Sequence, residues 1–102
     1  MSNVSNNFQV FMEESGDVGK AFMDLTTRAA EASALDQKTE ELAYIAVLAA
    51  LRMTSGLTFH VKMAKAAGAT REEIKSAVLV GLPAAGLVVT EAFALALKSY
   101  DE

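Results

Sequence analysis

The 102-residue chain contains no cysteine. Disulfide frameworks, iron–sulfur clusters, thiolate zinc sites and thiol peroxidase chemistry are excluded together. A single histidine, His60, is too few for a conventional histidine-rich catalytic metal site within one subunit. The turn dipeptides Asn-Gly and Asp-Gly are absent, and no long run alternates apolar with polar residues, which argues against a sheet. Basic charge is scarce: 9 Lys and Arg stand against 13 Asp and Glu, a formal charge of −4. Residues 1–51 carry 3 basic and 8 acidic side chains, and residues 52–102 carry 6 and 5. An excess of +1 in the second half leaves no electrostatic footprint for nucleic acid. The longest uncharged stretch, Ser76–Thr90, has 15 residues and is broken by Gly81, Pro83 and Gly86. A membrane span needs about 20 largely apolar residues. The start Met1–Asn7 has no basic cluster leading into an apolar core, so a secretory leader is not expected. A cytoplasmic protein without a membrane partner is the expectation.

What the chain does have is apolar bulk. Apolar residues make up 52% and charged residues only 22%, too apolar for disorder and thinly charged for a small surface. A domain of this length buries roughly 65% of its unfolded surface, so apolar area should be left over for a partner subunit. Alanine occurs 19 times and leucine 11, both strong helix formers. The expectation is one all-helical domain over residues 1–102, with about five to six helices.

Phe8–Glu14 reads as a short helix closed near Ser15-Gly16. Asp17 sits where a cap belongs, ahead of Phe22, Leu25, Thr26, Ala29 and Ala30 at helical spacing. Asp36 or Thr39 caps the next helix, whose body Leu42–Leu51 has no charge and predicts burial nearly all round. Met53–Gly56 predicts a break, with Thr54 or Ser55 capping a helix to about Ala67 and Gly68 just beyond it. Thr70-x-x-Glu73 is a capping box, and Arg71-Glu72-Glu73 reads as a solvated first turn. Gly81-Leu82-Pro83 ends that helix and opens a last one through about Lys98. The glycines and Pro83 read as a tight joint, since they lack phosphate-loop spacing. Met23, Met53, Met63 and the rings Phe22, Phe59 and Phe93 read as core or subunit-contact residues.

Two residues carry the functional signal. His60 shares a helical face with Gly56, Leu57, Val61, Ala64 and Ala67, so it is directed inward or into an interface. A semi-buried imidazole exchanges a proton near neutral pH, and a carboxylate beside it would orient it. Glu41, at the start of the neighbouring apolar helix, is the candidate, with Tyr44, Ile45, Leu48 and Arg52 on its face. A purely structural histidine and a helix-start glutamate remain the competing readings. Tyr44 offers a possible pocket hydroxyl, and Arg52 either pairs with a carboxylate or binds an anionic substrate. The reading calls for no cofactor and no metal.

The stretches Thr39-Glu40-Glu41-Leu42-Ala43, His60-Val61-Lys62-Met63-Ala64 and Ala67-Gly68-Ala69-Thr70-Arg71-Glu72-Glu73-Ile74 resemble the carboxymuconolactone decarboxylase family. That family is also called AhpD-like, after its alkylhydroperoxidase branch. The resemblance spans residues 35–96. Its most specific part is His-x-x-x-Ala-x-x-x-Gly-x-Thr-x-Glu-Glu-Ile, with a glutamate 19 residues before the histidine. It implies an AhpD-like all-α fold and an intertwined homo-oligomer: a dimer, trimer or hexamer.

The peroxidase branch carries Cys-x-x-Cys with a histidine four residues later. Here those cysteine positions are Met53 and Gly56. Methionine supplies no thiolate and glycine no side chain, so disulfide exchange is impossible. The lactone decarboxylase branch resembles the chain better, since it needs no cysteine pair and keeps an acid–base histidine. By that resemblance His60 and Glu41 are the catalytic candidates, and Arg52 and Tyr44 the substrate-binding ones. The implied substrate is a small anionic lactone. The alternative is a catalytically inactive binding or structural protein of the same fold.

Overall fold

Serine, aspartate and threonine each open a helix in the computed structural model, which describes residues 4–102. Met1–Asn3, part of the stretch read above for a leader, lie outside the described residues. The Ser5 hydroxyl accepts from the Phe8 amide at 3.2 Å and starts α1 (Asn6–Glu14). At α3 (Gln37–Leu51), Asp36 is the cap, accepting from the Thr39 amide at 2.8 Å. Ahead of α5 (Arg71–Leu79), Thr70 and Glu73 each accept from the other's backbone N–H, at 3.1 and 2.9 Å. Both orphan amides are thereby satisfied. Thr70→Ala is expected to cost about 1 kcal/mol of stability, read as a lower denaturant midpoint at unchanged slope.

Other boundaries depart from the sequence expectations. Gly16, not Asp17, is the N-cap of α2 (Asp17–Ala32), and Asp17 lies in the first turn, where its charge favours the helix dipole. Neither Thr54 nor Ser55 caps α4 (Leu57–Ala66): Thr54–Gly56 form a 3₁₀ turn that feeds the helix directly. The last helix does not run unbroken from Pro83. A single turn, α6 (Leu82–Ala85), stops at Gly86, whose φ of +83° suits a residue without Cβ. A 3₁₀ segment, Leu87–Ala92, then leads into α7 (Phe93–Asp101). That helix continues past Lys98 because its end is held: Lys65 donates to the Tyr100 carbonyl at 2.7 Å, and the Tyr100 hydroxyl to the Ala69 carbonyl at 2.8 Å. Gly68, at φ +100°, ends α4 as expected. Six helices exceed one turn, and the described residues contain no strand, so the fold is all-α.

The core lies where α3, α4, α5 and α7 meet. Ile45, Leu48 and Ala49 of α3 pack against Leu57, Val61 and Ala64 of α4 and Ile74, Ala77 and Val78 of α5. Small residues (Ala49, Ala64, Ala77, Ala96) let these helix axes approach closely. Between α4 and α7, Thr58 and the buried Ser99 hydrogen-bond at 2.8 Å, so that core hydroxyl is satisfied.

The body of α3 is not buried all round. Tyr44, Val47 and Leu51, spaced three and four apart, lie 47%, 54% and 60% exposed on its outer face. On α2 only Gly19 is buried, while Val18, Phe22, Met23 and Leu25 face outward. Phe8, Phe11 and Phe22 hold α1 on α2 through ring contacts of 5.7–6.3 Å.

The first turn of α5 is tied down rather than freely solvated. Arg71 donates twice to Asp101, at 2.9 and 3.0 Å, and Lys38 reaches Glu73 at 3.0 Å. The bidentate Arg71 pair holds the Asp101 carboxyl below its usual range, and the Thr70 backbone N–H, then Lys38, do the same for Glu73. The Thr39 backbone N–H likewise lowers Asp36. Groups lowered by folding stabilise the native state above the ordinary carboxylate range, and that contribution disappears as pH falls through their folded values. The urea midpoint is expected to fall as pH drops from about 5 through the ordinary carboxylate range and below it, and Asp101→Asn to flatten the fall.

Candidate acid–base site on α3 and α4

Adjacent packing of α3 and α4 brings Glu41 and His60 together. Nδ1 of His60 lies 2.8 Å from Oε2 of Glu41. Their side chains are 21% and 17% exposed, shielded from bulk water but not sealed from it. With the carboxylate ionised, Nδ1 carries the proton and donates, which leaves Nε2 as the reactive nitrogen. No hydrogen bond to Nε2 occurs among the described residues.

Three further groups surround the imidazole. Tyr44, one turn after Glu41, stacks on it with ring centroids 4.1 Å apart and planes 23° from parallel. Phe59 meets it edge-on at 5.1 Å and 87°. Gly56 borders the Cδ2 side, where a Cβ would lie 3.9 Å from that atom, an ordinary contact. The role of Phe59 was not legible as more than core, although its place beside His60 in the chain was the available signal. The Tyr44 hydroxyl makes no hydrogen bond among the described residues, so the partner expected for it is not found there.

Arg52 is not drawn into this cluster. Eleven residues separate it from Glu41, about 16 Å along α3. It ends the helix in the left-handed conformation, φ +61°, and pairs with Glu91 at 3.7 Å. Of the two readings open for it, the structure supplies a carboxylate partner.

A cleft of about 340 Å³ opens beside Glu41, lined by Ala30, Leu35, Gln37, Glu40 and Glu41. That volume falls in the range of small-ligand sites. His60 is not among its lining residues. No cluster of three or more His, Asp or Glu side chains among the described residues has metal-site geometry. No helix among them is long and apolar enough to cross a membrane.

Fold and site together define an all-helical protein with a carboxylate-oriented histidine and no sulfur nucleophile. Residues 16–98 match the model of the carboxymuconolactone decarboxylase family, and the chain belongs to that family, lacking the cysteine pair of its thiol-peroxidase members. No curated protein and no solved structure matches the chain. The family match takes in α2 as well as the helices that carry Glu41 and His60.

Proposed function

We propose that this protein transfers a proton in the decarboxylation of a small anionic lactone-type substrate, with His60 as donor and acceptor and Glu41 as its orienting base. The observation that carries this reading is the 2.8 Å contact at Nδ1, together with an Nε2 that no described residue engages. As the carbon–carbon bond to the carboxylate breaks, carbon dioxide leaves and its bonding electrons pass into the conjugated lactone. The imidazolium then gives its Nε2 proton to the resulting dienolate carbon, and solvent restores it. Glu41 stabilises the cation during the exchange and keeps the ring aimed. With Arg52 paired to Glu91 at the far end of α3, a basic residue of a second copy supplies the countercharge.

The working form is a homo-oligomer. Tyr44, Val47 and Leu51 on α3 and Val18, Phe22 and Leu25 on α2 are apolar stripes of a kind that a second copy covers. Leu51→Glu is expected to shift sedimentation toward monomer, since burying the new charge at a subunit contact is costly.

The test of activity is carbon dioxide release from a panel of small lactone carboxylates, with wild type and Glu41→Gln side by side. Release by the wild type that falls at least about tenfold in the variant supports the reading. Ligand binding without release in either protein would instead favour the inactive, binding form of the fold.

A further inference from the structure

One hydrogen bond fixes the position of a ring nitrogen but not the plane of the ring. Glu41 holds Nδ1, and the imidazole can still swing about that contact unless a flat surface stops it. Tyr44 provides one. It sits three residues after Glu41, so the same face of α3 delivers both the carboxylate and an aromatic plate 4.1 Å above the imidazole. Phe59 closes a second direction edge-on, and Gly56 leaves the Cδ2 side uncrowded.

We propose that Tyr44 is a positioning residue: its ring face, not its hydroxyl, holds the His60 imidazole so that Nδ1 stays on Glu41 and Nε2 is the nitrogen presented outward. This rests on the acid–base reading of the pair. The contact with the imidazole is made by the ring, as a near-parallel stack, and the hydroxyl takes no part in it.

The test uses the fact that the chain has one histidine, so its imidazole nitrogen resonances are unambiguous. The ¹⁵N shifts of His60, recorded where the ring is neutral, report which nitrogen carries the proton. In the wild type the Nδ1–H tautomer is expected to dominate. Tyr44→Ala and Tyr44→Leu are each expected to raise the Nε2–H fraction by about tenfold, the ratio an aromatic stack supports. Tyr44→Phe is expected to match the wild type. The leucine variant keeps apolar bulk, so its result stands even where alanine perturbs folding.

A wild-type tautomer ratio in both Tyr44→Ala and Tyr44→Leu overturns the proposal, as does a changed ratio in Tyr44→Phe. Glu41→Leu, which removes the acceptor for Nδ1–H, separates the two claims. If it leaves the tautomer unchanged, the Glu41–His60 pair is not what orients the ring, and the acid–base reading falls along with this one. If it shifts the tautomer and the tyrosine variants do not, only the role of Tyr44 is lost.

Discussion

Replacing His60 by glutamine is expected to lower the rate of carbon dioxide release by about 10²- to 10⁴-fold, the range associated with a positioned general acid or base. Glutamine is close in length and can still donate to Glu41, so the carboxylate is not stranded without a partner. Its amide has no proton to exchange near neutral pH. The variant therefore removes chemistry while preserving the contact between α3 and α4. Circular dichroism and the denaturant midpoint are expected to stay near wild type, and kcat to fall. Undiminished turnover in the folded variant would remove His60 from the mechanism. A loss of rate accompanied by unfolding would instead point to a structural histidine, the competing reading from sequence.

The second large effect is on stability. Ile45→Ala is expected to destabilise the protein by about 2–5 kcal/mol, because the side chain is fully buried and its removal leaves a cavity that the packed helices only partly close. Alanine is the better helix former, but that gain is only about 0.4 kcal/mol in the middle of α3 and cannot offset the loss. Against a total of about 5–15 kcal/mol for a typical domain, this is a large fraction. Ile45 follows Tyr44 and lies one turn beyond Glu41 on the inner side of α3. A cavity there loosens the helix against α4, so activity is expected to fall before the protein unfolds. Thermal melts and turnover measured over the same temperatures would show whether the two losses separate.

Much of the candidate site was legible in the sequence. The helical period placed His60 on the face that buries Leu57, Val61 and Ala64, and the charge-free body of α3 marked Glu41 as the carboxylate nearest a core helix. Two caps in which a side chain makes the bond were legible, Asp36 and the Thr70–Glu73 box, whereas the Ser5 cap of α1 was not read. Caps were misread where backbone alone does the work. Gly16 opens α2, and a 3₁₀ turn opens α4, without any capping side chain.

The break after α6 was half visible for a similar reason. Gly86 is a sequence signal, but a 3₁₀ segment has almost the same residue preferences as the helix it interrupts. The outer face of α3 was misjudged because an uncharged helix reads as buried whether the chain itself or another molecule does the covering.

Composition and periodicity by themselves determined the helical class, the lack of the cysteine pair and the histidine and glutamate worth watching. These depend on residue identity and on spacing along a single helix, which the linear chain carries in full. Tertiary structure alone decided that Glu41 meets Nδ1 and leaves Nε2 open, that Tyr44 lies flat on the imidazole, and that Arg52 finds Glu91 at the other end of α3. Each of those contacts joins residues on different elements. Their geometry is set by how two helix surfaces interlock, which a pattern along either one does not encode.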